Sequence, residues 1–141
     1  MMINGQMACR VLEHNVMSSR QHSTVLYIED NAANRLLVEM IIARRPGITL
    51  LTAENGAGGL AIACERQPGL ILLDLSLPDM DGFEILARLK QDPRTASIPV
   101  FALTGNPRMR QNPGSPSFEG ILAKPIDIHT FYEVIDHYLK P

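Results

Sequence analysis

From Thr24 onward the chain alternates short apolar runs with stretches of helical periodicity; residues 1–22 show neither. TVLYI (24–28) is rich in β-formers and predicts a buried strand. Glu29-Asp30-Asn31 stops it and can cap a helix. Between Ala33 and Arg44 the apolar Leu37, Met40 and Ile41 recur at helical spacing, and Pro46-Gly47 closes that helix. ITLLTA (48–53) predicts the second strand. Gly56 to Gln67 predicts a helix with Leu60, Ala61 and Cys64 on one face, ended by Pro68-Gly69. LILLD (70–74) is the most apolar strand and terminates in a carboxylate. Phe83 to Gln91 reads as a helix with Phe83, Leu86 and Leu89 inward. IPVFALT (98–104) and GILAK (120–124) are the fourth and fifth strands. Asp127 to Leu139 is the last helix, with Ile128, Phe131, Ile135 and Tyr138/Leu139 on its apolar stripe.

Strands that are apolar throughout and separated by helices argue a parallel sheet covered on both faces. Five such units with right-handed crossovers give an α/β fold, a doubly wound five-stranded parallel sheet of flavodoxin-like (βα)5 form. Residues 1–22 read as a flexible leader or linker, in which a short helix over Val11 to Val16 lacks support and Met17 is an alternative start; residues 23–141 form the domain.

Ligands of such sheets bind beyond the carboxyl ends of the strands. Those ends carry Glu29 and Asp30, then Asp74, Thr104 and Lys124. Three converging carboxylates repel one another, and a hard divalent cation such as Mg2+ removes the conflict. Asp30 and Asp74 can ligate it directly and Glu29 through water, with Lys124 as a compact positive charge beside them. An aspartate can then attack a phosphoryl group to form an acyl phosphate, while Lys124 and the Thr104 hydroxyl hold its oxygens. Gly105 leaves the site open to a donor. Taken singly, each residue is more often a turn, a cap or a solvated charge; four of the five strand ends carrying the required groups make the joint reading specific.

Composition narrows the rest. A length of 141 residues allows one domain, and a net charge of −2 does not point to nucleic acid or an anionic membrane. No stretch approaches membrane-spanning length, and the start has no secretory apolar core. The two cysteines, Cys9 and Cys64, lack metal spacing and predict reduced thiols in a cytoplasmic protein. His14, His22, His129 and His137 show no metal spacing, and Gly56-Ala57-Gly58-Gly59 is not a nucleotide-binding loop.

At VLYIEDN, LILLDLSLPDMDGFEIL, PVFALTGN and LAKPI the sequence resembles the receiver domain of two-component response regulators, over about residues 23–140. IEDNAANRLLVEMI looks most like receivers of hybrid sensor histidine kinases. The resemblance implies that Glu29, Asp30, Asp74 and the backbone carbonyl of Ser76 bind Mg2+, or Mn2+ in its place. It implies that Asp74 takes phosphate from a phosphohistidine on a histidine kinase or phosphotransfer domain. The chain is then a phosphoacceptor that assists its own phosphorylation and dephosphorylation, not a turnover enzyme. Output would be by protein contact, as a monomer or weak dimer, without nucleic acid or membrane. Lys124-Pro125 would be the family's cis peptide, Pro78 and Gly82 would shape the loop beyond Asp74, and Ser76 and Asn106 would tune the acyl phosphate's lifetime. Two positions depart from the pattern. Ile121 stands where the family usually has a Phe or Tyr ring that moves on phosphorylation. NPRMRQNPGSPSFEG, with Pro107, Pro113, Pro116 and Gly114, is poorly compatible with a regular fourth helix, so a short turn or mobile loop is expected over about 105–119.

Two other readings follow. A pseudo-receiver acting as a phosphorylation-independent interaction module is favoured by Ile121 and the proline-broken segment, and opposed by the complete acidic set with Lys124. A phosphatase with an aspartyl nucleophile would need a carboxylate two residues after Asp74, where Ser76 stands.

Overall fold

The computed structural model describes residues 21–106, 108, 111 and 114–140. Five strands, β1 (Gln21–Ile28), β2 (Thr49–Ala53), β3 (Pro68–Asp74), β4 (Val100–Thr104) and β5 (Gly120–Ala123), form one parallel sheet in the order β2-β1-β3-β4-β5. Four helices cover it: α1 (Ala32–Ile42), α2 (Gly56–Arg66), α3 (Gly82–Gln91) and α4 (Ile128–Tyr138). Every residue of the central β3 is buried, as its unbroken apolar sequence requires. Strand alternation sends Leu26, Ile28, Ile71 and Leu73 into one core with α2 and α3, and Val25, Tyr27, Leu70 and Leu72 into another with α1 and α4. No helix among the described residues is long and apolar enough to cross a membrane.

β1 begins at Gln21, three residues before the predicted Thr24, and pairs there with Pro68. The His22 carbonyl also accepts the Lys140 N–H at 2.9 Å, so this start of the strand is tied to the far end of the domain. The predicted leader up to residue 20, including the Val11–Val16 helix, lies outside the described residues, as do Pro107 and Pro113. No described residue between Thr104 and Gly120 is helical, as the proline content predicts. That segment is anchored by Phe118, which is buried, packs edge-to-face on Phe83 at 5.3 Å, and donates its N–H to Gln111 Oε1 at 2.6 Å. Ile121 pairs with Ala102 and packs, half-buried, onto the α2/α3 core.

The helices turn faces slightly different from those predicted. On α1, Val38, Ile41 and Ile42 are buried while Leu37 and Met40 are exposed. On α2 the buried stripe is Gly56, Gly59 and Ala63, not Leu60, Ala61 and Cys64. Small residues are needed there because the helix lies directly on β1: a Cβ at Gly59 would come within 2.4 Å of Ile28 Cδ1. Phe83 and Ile128 are partly exposed; Ile85 joins Leu86 and Leu89 inward on α3, while Phe131, Ile135 and Leu139 are buried as predicted. Cys64 is disulfide-bonded, where a reduced thiol was predicted; Cys9 lies outside the described residues.

Candidate functional site

All five strands run the same way, so their carboxyl ends line one edge of the sheet. Asp74 ends β3, between β1 and β4, and is 1% exposed. Glu29 follows β1; its N–H donates to the Ala53 carbonyl at 2.9 Å, which prolongs the ladder by one residue and buries it. Asp30 comes next and is exposed. One carboxylate oxygen from each of Glu29, Asp30 and Asp74 lies within 4.8 Å of the others.

Lys124 follows β5, two strands from β3. Its backbone N–H donates to the Thr104 carbonyl at 3.0 Å, and Lys124-Pro125 is cis. Two strand spacings are about 10 Å, which only a long side chain covers. The ammonium reaches Asp74 Oδ1 at 2.7 Å and lies 3.7 Å from Glu29 Oε1. Thr104 closes β4 beside it, half-buried, and its hydroxyl accepts the Asn106 N–H at 3.0 Å. A Cβ at Gly105 would meet nothing within 4 Å, so the mouth is open there whether or not the residue is glycine.

The predicted residues are therefore brought together, with contacts that spacing did not reveal. Ser76 donates both its N–H, at 3.1 Å, and its hydroxyl, at 2.9 Å, to Asp74 Oδ1. Glu29 is held from several sides. Oε1 accepts from the Tyr27 hydroxyl at 2.9 Å and from Asn34 Nδ2 at 3.2 Å, and Oε2 accepts the Asn31 N–H at 3.2 Å. Arg35 binds the Glu29 carbonyl at 2.8 Å. The signal for Tyr27 is strand parity, since residues two apart share a face; for Asn34 and Arg35 it is their place on the first turn of α1. Asp79 ties the loop after Asp74 to α2, accepting the Gly56 and Ala57 N–H groups at 2.8 and 3.1 Å.

Two buried carboxylates beside one ammonium cannot both ionise freely. Burial, then the hydrogen bond with Asp74, pushes Glu29 above the ordinary carboxylate range. Burial also pushes Asp74 upward, yet the hydrogen bonds with Glu29, Lys124 and Ser76 together bring it below its ordinary value. Burial, and then the charge of Glu29, raises the Tyr27 phenol, which stays a donor.

The response regulator receiver domain family model matches residues 25–136. The chain is 34% identical over 122 residues to the polar-differentiation response regulator DivK of Brucella anthropi, covering 82% of this chain and 95% of that protein. Its fold is similar to the receiver domain of sensor histidine kinase PA1611 from Pseudomonas aeruginosa, solved with a magnesium ion in its active-site cleft (TM-score 0.71, 22% identity, 82% of this chain and 96% of that one). It is also similar to the receiver domain of the hybrid histidine kinase CckA (TM-score 0.67, 27% identity, 83% and 99%).

Proposed function

The chain belongs to the response regulator receiver domain family and is a receiver domain of two-component signalling, and on that premise we propose that Asp74 is its phosphoacceptor, working with Mg2+ or Mn2+. One observation carries the reading: a buried carboxylate at the end of the central strand lies 2.7 Å from an ammonium and within 4.8 Å of two further carboxylate oxygens. The donor is a phosphohistidine on a histidine kinase or histidine phosphotransfer domain. An Asp74 oxygen bonds to phosphorus as the phosphorus–nitrogen bond breaks, and that electron pair returns to the imidazole. Lys124 and the Thr104 hydroxyl hold the transferred oxygens, and positioning and charge supply most of the catalysis. The protein assists its own phosphorylation and dephosphorylation without being a turnover enzyme.

The donor set fits a hard divalent cation: carboxylate oxygens with an excess of negative charge. Glu29, Asp30, Asp74 and the Ser76 carbonyl are the residues that would hold it. When bound, the cation neutralises negative charge on the carboxylates and on the incoming phosphoryl group. The Mg2+ in the fold-related PA1611 receiver supports this assignment. We place the domain, with its first strand beginning at Gln21 rather than after residue 22, in the cytoplasm, with output by contact with a protein target.

Incubation with Mg2+ and a small phosphodonor, read by intact mass, should give one phosphoryl adduct, absent in EDTA. No adduct on the wild type would overturn the proposal. A pH dependence follows from the burial that pushes the Glu29 carboxyl up. A raised carboxyl pKa stabilises the metal-free fold below the ordinary carboxylate range, and that contribution is lost as pH rises through the folded value. A divalent cation binds the ionised carboxylates, so Mg2+ affinity should tighten as pH rises from the carboxylate range toward neutrality. Calorimetric titration across that window checks this; affinity that is flat or weakens with pH would contradict it.

A further inference from the structure

Tyr27 is the largest fully buried side chain of the protein among the described residues, and no water reaches its hydroxyl. A buried phenol needs a hydrogen-bond partner. Its neighbours in the α1/α4 core are apolar: Val25, Val38, Leu72, Leu103 and Phe131. Phenylalanine has the same shape and would need no partner in that core. The hydroxyl finds one at the rim, on Glu29 Oε1 at 2.9 Å.

We propose that Tyr27 is a positioning residue of the cation site, holding the Glu29 carboxylate in the orientation in which it serves the divalent cation. This rests on the function proposed above. The geometry supports it in three ways. Tyr27 and Glu29 are two apart on an extended strand, so the phenol stem is anchored in the core and its tip meets the carboxylate without bending the chain. Glu29 Oε1 is shared by the Tyr27 hydroxyl, Asn34 and the more distant Lys124, whereas Oε2 is held by the Asn31 N–H. Of these, Tyr27 alone is fully buried in the core; Asn31, which is exposed, and Asn34, which is half-buried, belong to the cap and first turn of α1. A small cavity of about 80 Å³ is lined by Tyr27, Asn34 and Lys124, the three groups that face Glu29 Oε1, together with Leu37, Pro125 and Ile126, so these partners surround a space rather than close packing. Groups hydrogen-bonded behind a metal ligand typically change affinity by about 10–100-fold when removed.

The test is Tyr27→Phe, which keeps ring and packing and removes only the hydroxyl. Tyr132→Phe is the control: its hydroxyl donates to the Ile41 carbonyl at 2.7 Å, away from the acidic cluster. Mg2+ affinity is measured by calorimetry at fixed pH, with melting in EDTA alongside. Tyr27→Phe should fold and bind Mg2+ about 10-fold more weakly, while Tyr132→Phe binds like the wild type whatever its melting temperature. Unchanged affinity in Tyr27→Phe, or equal weakening in both variants, overturns the positioning role. A wild type that binds no Mg2+ overturns the cation site itself, and this role with it.

Discussion

Asp74→Asn should abolish the phosphoryl adduct and leave the fold intact. The amide is isosteric, and its oxygen can still accept from the Ser76 N–H and hydroxyl and from Lys124. What disappears is the nucleophile, because an amide oxygen does not form a stable acyl phosphate. The substitution also removes one of two buried like charges. Glu29 then has the Lys124 ammonium as a partner without competition and returns toward its ordinary range. The metal-free variant should therefore melt no lower than the wild type, with a flatter dependence of melting on pH. Intact mass after incubation with phosphodonor and Mg2+, paired with melts in EDTA, reads both outcomes. An undiminished adduct on Asp74→Asn would move the phosphorylation site elsewhere.

Lys124→Met should act in the opposite sense on stability. Its ammonium is the cation 2.7 Å from Asp74 and 3.7 Å from Glu29, both buried. Removing it leaves two carboxylates without their counter-charge, which is costly in a buried setting. The metal-free variant should melt below the wild type, and Mg2+ should restore much of the loss. Because the ammonium competes for the carboxylate oxygens, Mg2+ affinity should be unchanged or tighter. Phosphorylation is another matter: a donor aimed at transferring oxygens is worth about 10²–10³ in rate. A time course of adduct formation at saturating Mg2+ should slow by about that factor. A wild-type rate would remove Lys124 from the transfer step and leave it only a structural counter-ion.

The opposite signs come from one arrangement, an excess of buried negative charge balanced by one long side chain. The amino-acid order shows that arrangement only in outline. Glu29, Asp30, Asp74, Thr104 and Lys124 were legible because each ends or follows a strand, and parallel strands leave no choice of which edge those ends share. The cis bond at Lys124-Pro125 and the lack of helix among the described residues before β5 were legible too, from the family motif and from the prolines.

The sequence by itself determined the element order, the parallel sheet and the identity of the strand-end residues, since these depend on local period and on the chemistry of single positions. Tertiary structure alone decided which helix faces went inward. Leu37 and Met40 turned out to solvent, and α2 settled on Gly56, Gly59 and Ala63. A small rotation of a helix about its axis does not change its period, so only contact with the sheet selects the face. Tertiary structure also buried the Glu29 and Asp74 carboxylates close together, and aimed Ser76 and Tyr27 at them. Those contacts depend on distances of a few ångströms between groups that spacing along the chain does not measure, and on burial that raises the cost of leaving any of them unpaired.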